Sequence, residues 1–312
     1  MGDLKINKGN KMKKLVMTSL TALLAVLTSG LSMAADAKAP STKFDLLGWT
    51  LSVPVDDDGN GKSDQIKEKA LNSGYVSPEF FYLNDEGGMV FKSPIEGAKT
   101  SANTTYTRSE LREMIRRGDT SHKTQGVGGN NWVFSTAPAE DLAAAGGVDG
   151  SMEATLSVNH VTTGGEGYQI GRVIIGQIHA THNEPIRLYY RKLPGNSKGS
   201  IYYAHEPTKE SGKKEIWVEM VGSKSNSASD PADGIALDEK FSYRIDVKGN
   251  ELKVTLMRPG KPDVVRVTDM SESGYDKGGI YMYFKAGVYN QNKSGDPDDY
   301  VQATFYDLNV TH

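Results

Sequence analysis

From Gly279 to Gln291 the chain alternates with a period of two, the spacing of an extended strand with two different faces. One face carries Tyr281, Tyr283, Lys285, Gly287, Tyr289 and Gln291; the other carries Ile280, Met282, Phe284, Ala286 and Val288. The apolar set is a core face and requires a second layer to cover it. The polar set holds hydroxyls, an amine and an amide, with no aliphatic side chain. A strand that merely faces water more often mixes Thr, Lys, Glu and Ser. Tyrosine offers a flat apolar body plus a hydroxyl, so this row suits a sugar-binding floor. Plain exposure is the competing reading.

Two other segments carry chemistry on one face. In Thr107–Arg116, Arg108, Glu110 and Arg112 lie together, with Leu111 and Ile115 opposite. A charged surface strand laced by ion pairs would look the same in isolation. In Gln169–His179, Gln177 and His179 share a face, while Val173, Ile174, Ile175 and Ile178 make both faces apolar. Such a strand is central and buried. A satisfied core histidine is the bland reading of His179; the amide two residues before it argues against that.

Strand-like runs separated by turn signals fill the rest of the chain, including a hairpin of Phe241–Lys248 and Glu251–Met257 around Gly249-Asn250. Only Asp64–Asn72, with Ile66, Ala70 and Leu71 at helical spacing, and Pro138–Ala145 suggest helices, both short. The polar loop Gly222–Asp233 lies between hydrophobic strands and is an excursion, not a domain boundary. The expected fold is all-β: one sandwich of two antiparallel sheets with few short helices.

The N-terminus is set apart. Lys11, Lys13 and Lys14 precede an uncharged run to Ala35 that closes on Ser32-Met33-Ala34, the pattern of a secretory signal peptide. A retained anchor is the alternative, but Thr18, Ser19, Thr21, Thr28, Ser29 and Gly30 dilute the apolar run that a span needs. The expected organisation is a signal peptide over 1–34, a short leader over 35–43 and a single domain over 44–312. Cleavage after Ala34 removes five lysines and one aspartate, leaving 278 residues with 31 basic and 38 acidic groups and moving the formal charge from −3 to −7. The expected product is secreted, extracellular or periplasmic, monomeric and free of membrane. The absence of cysteine excludes disulfides, thiolate zinc sites and a cysteine nucleophile. The acidic balance gives no nucleic-acid footprint.

Arg108-Ser109-Glu110-Leu111-Arg112, Gln177-Ile178-His179 and Tyr283-Phe284-Lys285-Ala286-Gly287-Val288-Tyr289-Asn290-Gln291 resemble, in order and spacing, the three signature blocks of alginate lyases of polysaccharide lyase family 7. The resemblance spans the chain from about Phe44 to its last strand. It implies a concanavalin-like β-jelly roll whose concave sheet forms a cleft for an anionic polyuronate. It also implies that Arg108, Gln177, His179 and Tyr289 are catalytic, with Glu110, Arg112, Tyr283, Lys285 and Gln291 lining the cleft. In this family an Ile within Gln-x-His accompanies acceptance of guluronate, so Ile178 implies activity on polyguluronate or mixed blocks.

The residue types fit β-elimination. Removing the C5 proton of a uronate beside an ionised carboxylate would build a dianion, so donors must neutralise that carboxylate. Arg108 and Gln177 suit the task. A neutral imidazole, with an ordinary pKa of about 6.5, serves as base, and a tyrosine, at about 10, keeps a proton for the departing O4. No cofactor is required.

Asp56, Asp58, Asn60 and Asp64 resemble the start of a calcium loop, but the twelfth position, where an EF-hand needs Glu, is Lys67. A solvated Asp/Gly turn is the simpler reading, with structural calcium the alternative. Two rival functions remain. A glycoside hydrolase needs two carboxylates across the bond, and Glu110 is flanked by arginines. A non-catalytic carbohydrate-binding module explains the tyrosines but not a Gln-x-His on a central strand.

Overall fold

In the computed structural model, residues 37–312 are described; the segment assigned to a signal peptide lies outside them. Among the described residues no helix is long and apolar enough to cross a membrane. Alternation along the strands sorts the side chains into layers. In Phe241–Lys248, for example, Phe241, Tyr243, Ile245 and Val247 are buried, while Ser242, Arg244 and Asp246 are not.

Two antiparallel sheets result. One runs Ile216–Val221, Lys198–His205, Ile186–Arg191, Arg172–His179, Tyr283–Asn290, Arg108–Glu113, Trp49–Ser52 and Gln65–Ile66, with Ile235–Ala236 added beside Lys198–His205. The other runs Val264–Asp269, Glu251–Met257, Phe241–Lys248, Gly150–His160, Tyr300–Thr311, Met89–Pro94 and Phe81–Leu83. Between them lies a continuous core that includes Leu111, Val173, Ile178, Phe284, Val288, Leu256 and Phe305. Phe81, Phe91 and Phe305 pack through it, tilted and then edge-on, with adjacent ring centroids 5.2 Å apart. This is the all-β jelly-roll sandwich expected.

Local departures have physical reasons. The helix expected over Asp64–Asn72 is confined to Glu68–Asn72, because Gln65–Ile66 pairs with Leu51 and Ser52 at the sheet edge. Ala139–Ala144 forms the second helix, with Pro138 as its N-cap. Val264–Asp269, which the sequence did not mark as a strand, pairs along Glu251–Met257 as the outer edge of the second sheet. Its Val265 and Val267 are exposed.

The Arg172–His179 strand carries a bulge. Register with both neighbours shifts between Ile174 and Gly176. Ile175 packs in the main core and Gly176 lies against Tyr243, where an added Cβ would come 2.6 Å from the phenol oxygen. Tyr243 in turn donates to Ile175 O at 2.9 Å, tying the two sheets together. Two consecutive residues thus face inward, and Ile174 returns to the same side as Gln177 and His179.

Candidate active site

The three strands that carry the sequence blocks are consecutive neighbours in the middle of the first sheet. Register does the assembling. Lys285 stands between Gln177 and Arg112, Gly287 beside Glu110, Tyr289 between Ile174 and Arg108, and Tyr283 beside His179. Residues far apart in sequence become cross-strand neighbours on one face.

Glu110 is the hub of that face. It is 2% exposed, and one carboxylate oxygen accepts from Arg108 Nη1 at 2.9 Å and from Lys285 Nζ. The other accepts from Gln177 Nε2. Burial alone would raise this carboxyl, but Lys285 and Arg108 outweigh it and hold Glu110 below its ordinary range. It is an ionised anchor, which removes it as the raised-pKa acid a hydrolase would need. Gly287 makes room: at φ +132°, a Cβ there would meet Ser109 O at 2.6 Å and Glu110 Cα at 2.9 Å.

Two cations against one anion leave a net positive site. Burial, with Arg108 close by, lowers Lys285 to about 8. Arg108 lies over the Tyr289 ring, 3.7 Å from its centroid, and its Nε is buried with no acceptor among the described residues. Gln177 has a second amide hydrogen beyond the one given to Glu110.

His179 stacks on Tyr283, with ring centroids 5.1 Å apart and planes within 7°. Its Nδ1 is 2.5 Å from Ala180 O; a carbonyl only accepts, so the proton sits on Nδ1 and the lone pair on Nε2. Burial, then Lys285, lowers His179 to about 4, so the ring is neutral near pH 7. Burial raises Tyr289 above its ordinary value despite Arg108, so the phenol keeps its proton. Tyr106 packs edge-on against that ring at 6.1 Å.

The remaining sequence-predicted residues make contacts within the protein. Arg112 lies 3.9 Å over the Tyr283 ring and donates to Glu113 O, Thr124 O and Asn131 Oδ1 at 2.8–2.9 Å. Burial lowers it, and its contacts are internal. Burial lifts Tyr283 to about 12. Gln291 is buried past the strand end, donating to Asn290 O at 3.1 Å. Ile178 points away from this face into the core.

Asp56, Asp58 and Asp64 do gather their carboxylates at the far sheet edge. Asp56 already accepts from the Asn60 and Gly61 N–H groups at 2.9 Å, and Asn60 donates its amide to Asp58 at 2.8 Å and accepts from Lys62 N at 2.9 Å. The segment is a self-bonded turn.

Sequence reasoning missed Glu184, whose Oε1 is 3.3 Å from His179 Nε2, and Arg187, opposite Gln177 on the next strand. Alternation from Ile186 would have placed Arg187. Glu184 sits in a turn, where strand period says nothing; Pro185 after it was the only hint. His312 meets Glu113 at 2.7 Å, a contact that strand alternation does not reveal. A separation of 199 in sequence hides that pair from any spacing rule.

A family described as alginate lyase matches residues 44–312. An alginate lyase of Klebsiella pneumoniae is 64% identical over 281 residues, covering 88% of this chain and 91% of that protein. The crystal structure of the alginate lyase from Klebsiella pneumoniae superposes with a TM-score of 0.87, covering 98% of that chain and 88% of this one. Two more distant structures share the fold. Alginate lyase A1-II′, a member of polysaccharide lyase family 7, has a TM-score of 0.63 at 22% identity, covering 88% of this chain and 99% of that one. The exolytic family 7 lyase AlyA5 of Zobellia galactanivorans has a TM-score of 0.65 at 23% identity, covering 88% and 97%. With the three blocks assembled on one sheet face, these matches identify the chain as a member of the alginate lyases of polysaccharide lyase family 7.

Proposed function

We propose that this alginate lyase is exported and cleaves the 1,4-glycosidic bond by β-elimination, favouring polyguluronate or mixed blocks and leaving 4,5-unsaturated uronate ends. The observation that carries the reading is the pairing of a neutral His179, lone pair on Nε2, with a protonated Tyr289 beside the Arg108–Glu110–Lys285–Gln177 cluster.

The Arg108 guanidinium, its side chain 13% exposed, and the free amide hydrogen of Gln177 neutralise the C6 carboxylate, so that C5 loses its proton without forming a bare dianion. His179 Nε2 takes that proton. The electron pair forms the C4–C5 double bond, the C4–O4 bond breaks, and O4 receives the Tyr289 proton. Losing one such anion-stabilising donor costs about 3 kcal/mol in the transition state.

In guluronate the C5 hydrogen and O4 lie on opposite faces, so two residues divide the work. In mannuronate they lie on one side, and Tyr289 would serve both roles. That division, with the Gln-Ile-His block, supports guluronate preference. Ile178 would act by setting the position of its two neighbours, since its side chain lies in the core.

The test is to incubate the protein separately with polyguluronate and polymannuronate and follow ultraviolet absorbance of the unsaturated ends. A faster rise on polyguluronate is expected. Binding without absorbance would point to a binding module, and reducing ends without unsaturation to a hydrolase. For export, the mature N-terminus recovered outside the cytoplasm is expected at Ala35.

A further inference from the structure

The turn after the His179 strand brings in a carboxyl that the elimination scheme does not use. Ala180 N–H donates to Asn183 O at 2.8 Å, closing the turn before Ile186–Arg191 begins. Glu184 is thereby folded back onto the imidazole, with Oε1 3.3 Å from Nε2. Nδ1 is committed to Ala180 O, so this is the nitrogen with the lone pair. A carboxylate oxygen and a bare nitrogen lone pair repel at that separation; a single proton between them turns the contact into a hydrogen bond.

From this geometry we infer that Glu184 is a positioning residue for the base: protonated, it donates to His179 Nε2 and occupies the lone pair; ionised, it frees that lone pair and steadies the imidazolium formed when C5 gives up its proton. The inference rests on His179 being the base.

The surroundings favour a carboxyl that changes state near neutrality. Arg187 faces Glu184 from the adjacent strand, Glu206 from the end of Lys198–His205, Lys285 from the central strand, and Tyr275 and Tyr289 from farther across. Burial and the negative charge of neighbouring Glu206 raise Glu184 to about 7, against the pull of Arg187 and Lys285. Arg187 is also shared, lying 3.4 Å from Glu206 and bonded to Glu215, so its charge is not Glu184's alone.

The experiment measures kcat and KM on polyguluronate from about pH 5 to about pH 9. In the wild type the acid limb of kcat should report the shared proton. Glu184→Ala removes that proton, leaving His179 under Lys285 and Arg108. The limb should move to lower pH by at least about one unit, with a plateau kcat down about tenfold and KM within about twofold. Glu184→Gln offers a permanent amide donor and should lower kcat across the range. Should the variants fail to fold by circular dichroism, the 15N shift of His179 Nε2 in the wild type decides. It should step near neutrality as Glu184 ionises; a flat shift there overturns the inference. Inactive His179→Asn together with an unmoved limb in Glu184→Ala overturns the inference alone. Wild-type turnover in His179→Asn removes the base itself, and the inference with it.

Discussion

His312 holds Glu113: Nε2 lies 2.7 Å from Oε1, while Nδ1 lies 2.7 Å from Asp149 O. Both partners only accept, so only the imidazolium satisfies both at once. The second oxygen of Glu113 accepts from Phe284 N–H at 3.0 Å, between Tyr283 and Lys285. Through Glu113, His312 therefore braces the strand that carries the site.

That brace predicts a pH-dependent stability. Burial opposes the charged ring, but Glu113 outweighs it, and the folded pKa of His312 is raised. The contribution is thus complete below the unfolded value of about 6.5 and is lost as pH rises through the folded value. Thermal melts should show His312→Ala destabilised by about 2 kcal/mol on the acid side, with the gap from wild type narrowing at alkaline pH. A gap that widens with pH would reverse the assignment.

Gly287→Ala should cripple the enzyme without touching any proposed catalytic group. The φ of +132° disfavours a side chain, and the new Cβ would strike backbone at Ser109 and Glu110, which cannot swing aside. Expected are a loss of at least about 2 kcal/mol in urea unfolding and a displaced Glu110. A stable, fully active variant would mean the two strands separate more easily than their pairing implies.

Which faces matter was legible because strand period is local: Tyr283, Lys285 and Tyr289 on one side, Phe284 and Val288 on the other. Which residues meet was not. The contact of Glu110 with Lys285 and Gln177 depends on register, and register depends on the bulge at Ile175–Gly176 and on Gly287. Strict alternation would have put Ile175 beside Gln177; Tyr243, filling the space at Gly176, decides otherwise. Val264–Asp269 escaped notice because an edge strand with Val265 and Val267 exposed lacks the buried alternation that marks a strand. The bonds of Arg112 to Thr124 and Asn131 were equally hidden, since both partners lie in a loop outside any strand period.

Glu110→Ala should be more damaging to stability than its lack of a chemical role suggests. It leaves Arg108 and Lys285, both largely buried, as neighbouring cations with no anion between them. A cost of about 3 kcal/mol in denaturant unfolding is expected. Lys285 is already lowered to about 8, so it should then lose its proton at a lower pH still. Glu110→Gln keeps the shape and should fall between the two in stability while losing turnover. Equal stability of all three proteins would show that the carboxylate is not the anchor.

Tyr289→Phe isolates the acid. The ring's packing under Arg108 and against Tyr106 is preserved, and only the phenol proton is lost. On polyguluronate kcat should fall by about a hundredfold or more, with KM little changed. On polymannuronate, where the same residue would act as both base and acid, the fall should be larger. His179→Ala should show the opposite preference, abolishing guluronate cleavage first. Equal losses on both substrates would remove the division of labour.

Salt separates a local grip from a broad one. The whole chain carries a formal charge of −3, so a polyanion meets net repulsion at long range. At the Glu110 cluster the attraction comes from Arg108 and Lys285, whose side chains are 13% and 9% exposed. Screening acts over about 10 Å at 0.1 M salt and weakens interactions between exposed, distant charges most. Adding moderate salt should therefore relieve the repulsion more than it weakens the buried contacts, leaving KM for polyguluronate flat or slightly lower. A wide basic surface would give the reverse, a KM climbing steeply with ionic strength. A steep climb measured here would place the binding energy outside the Glu110 cluster.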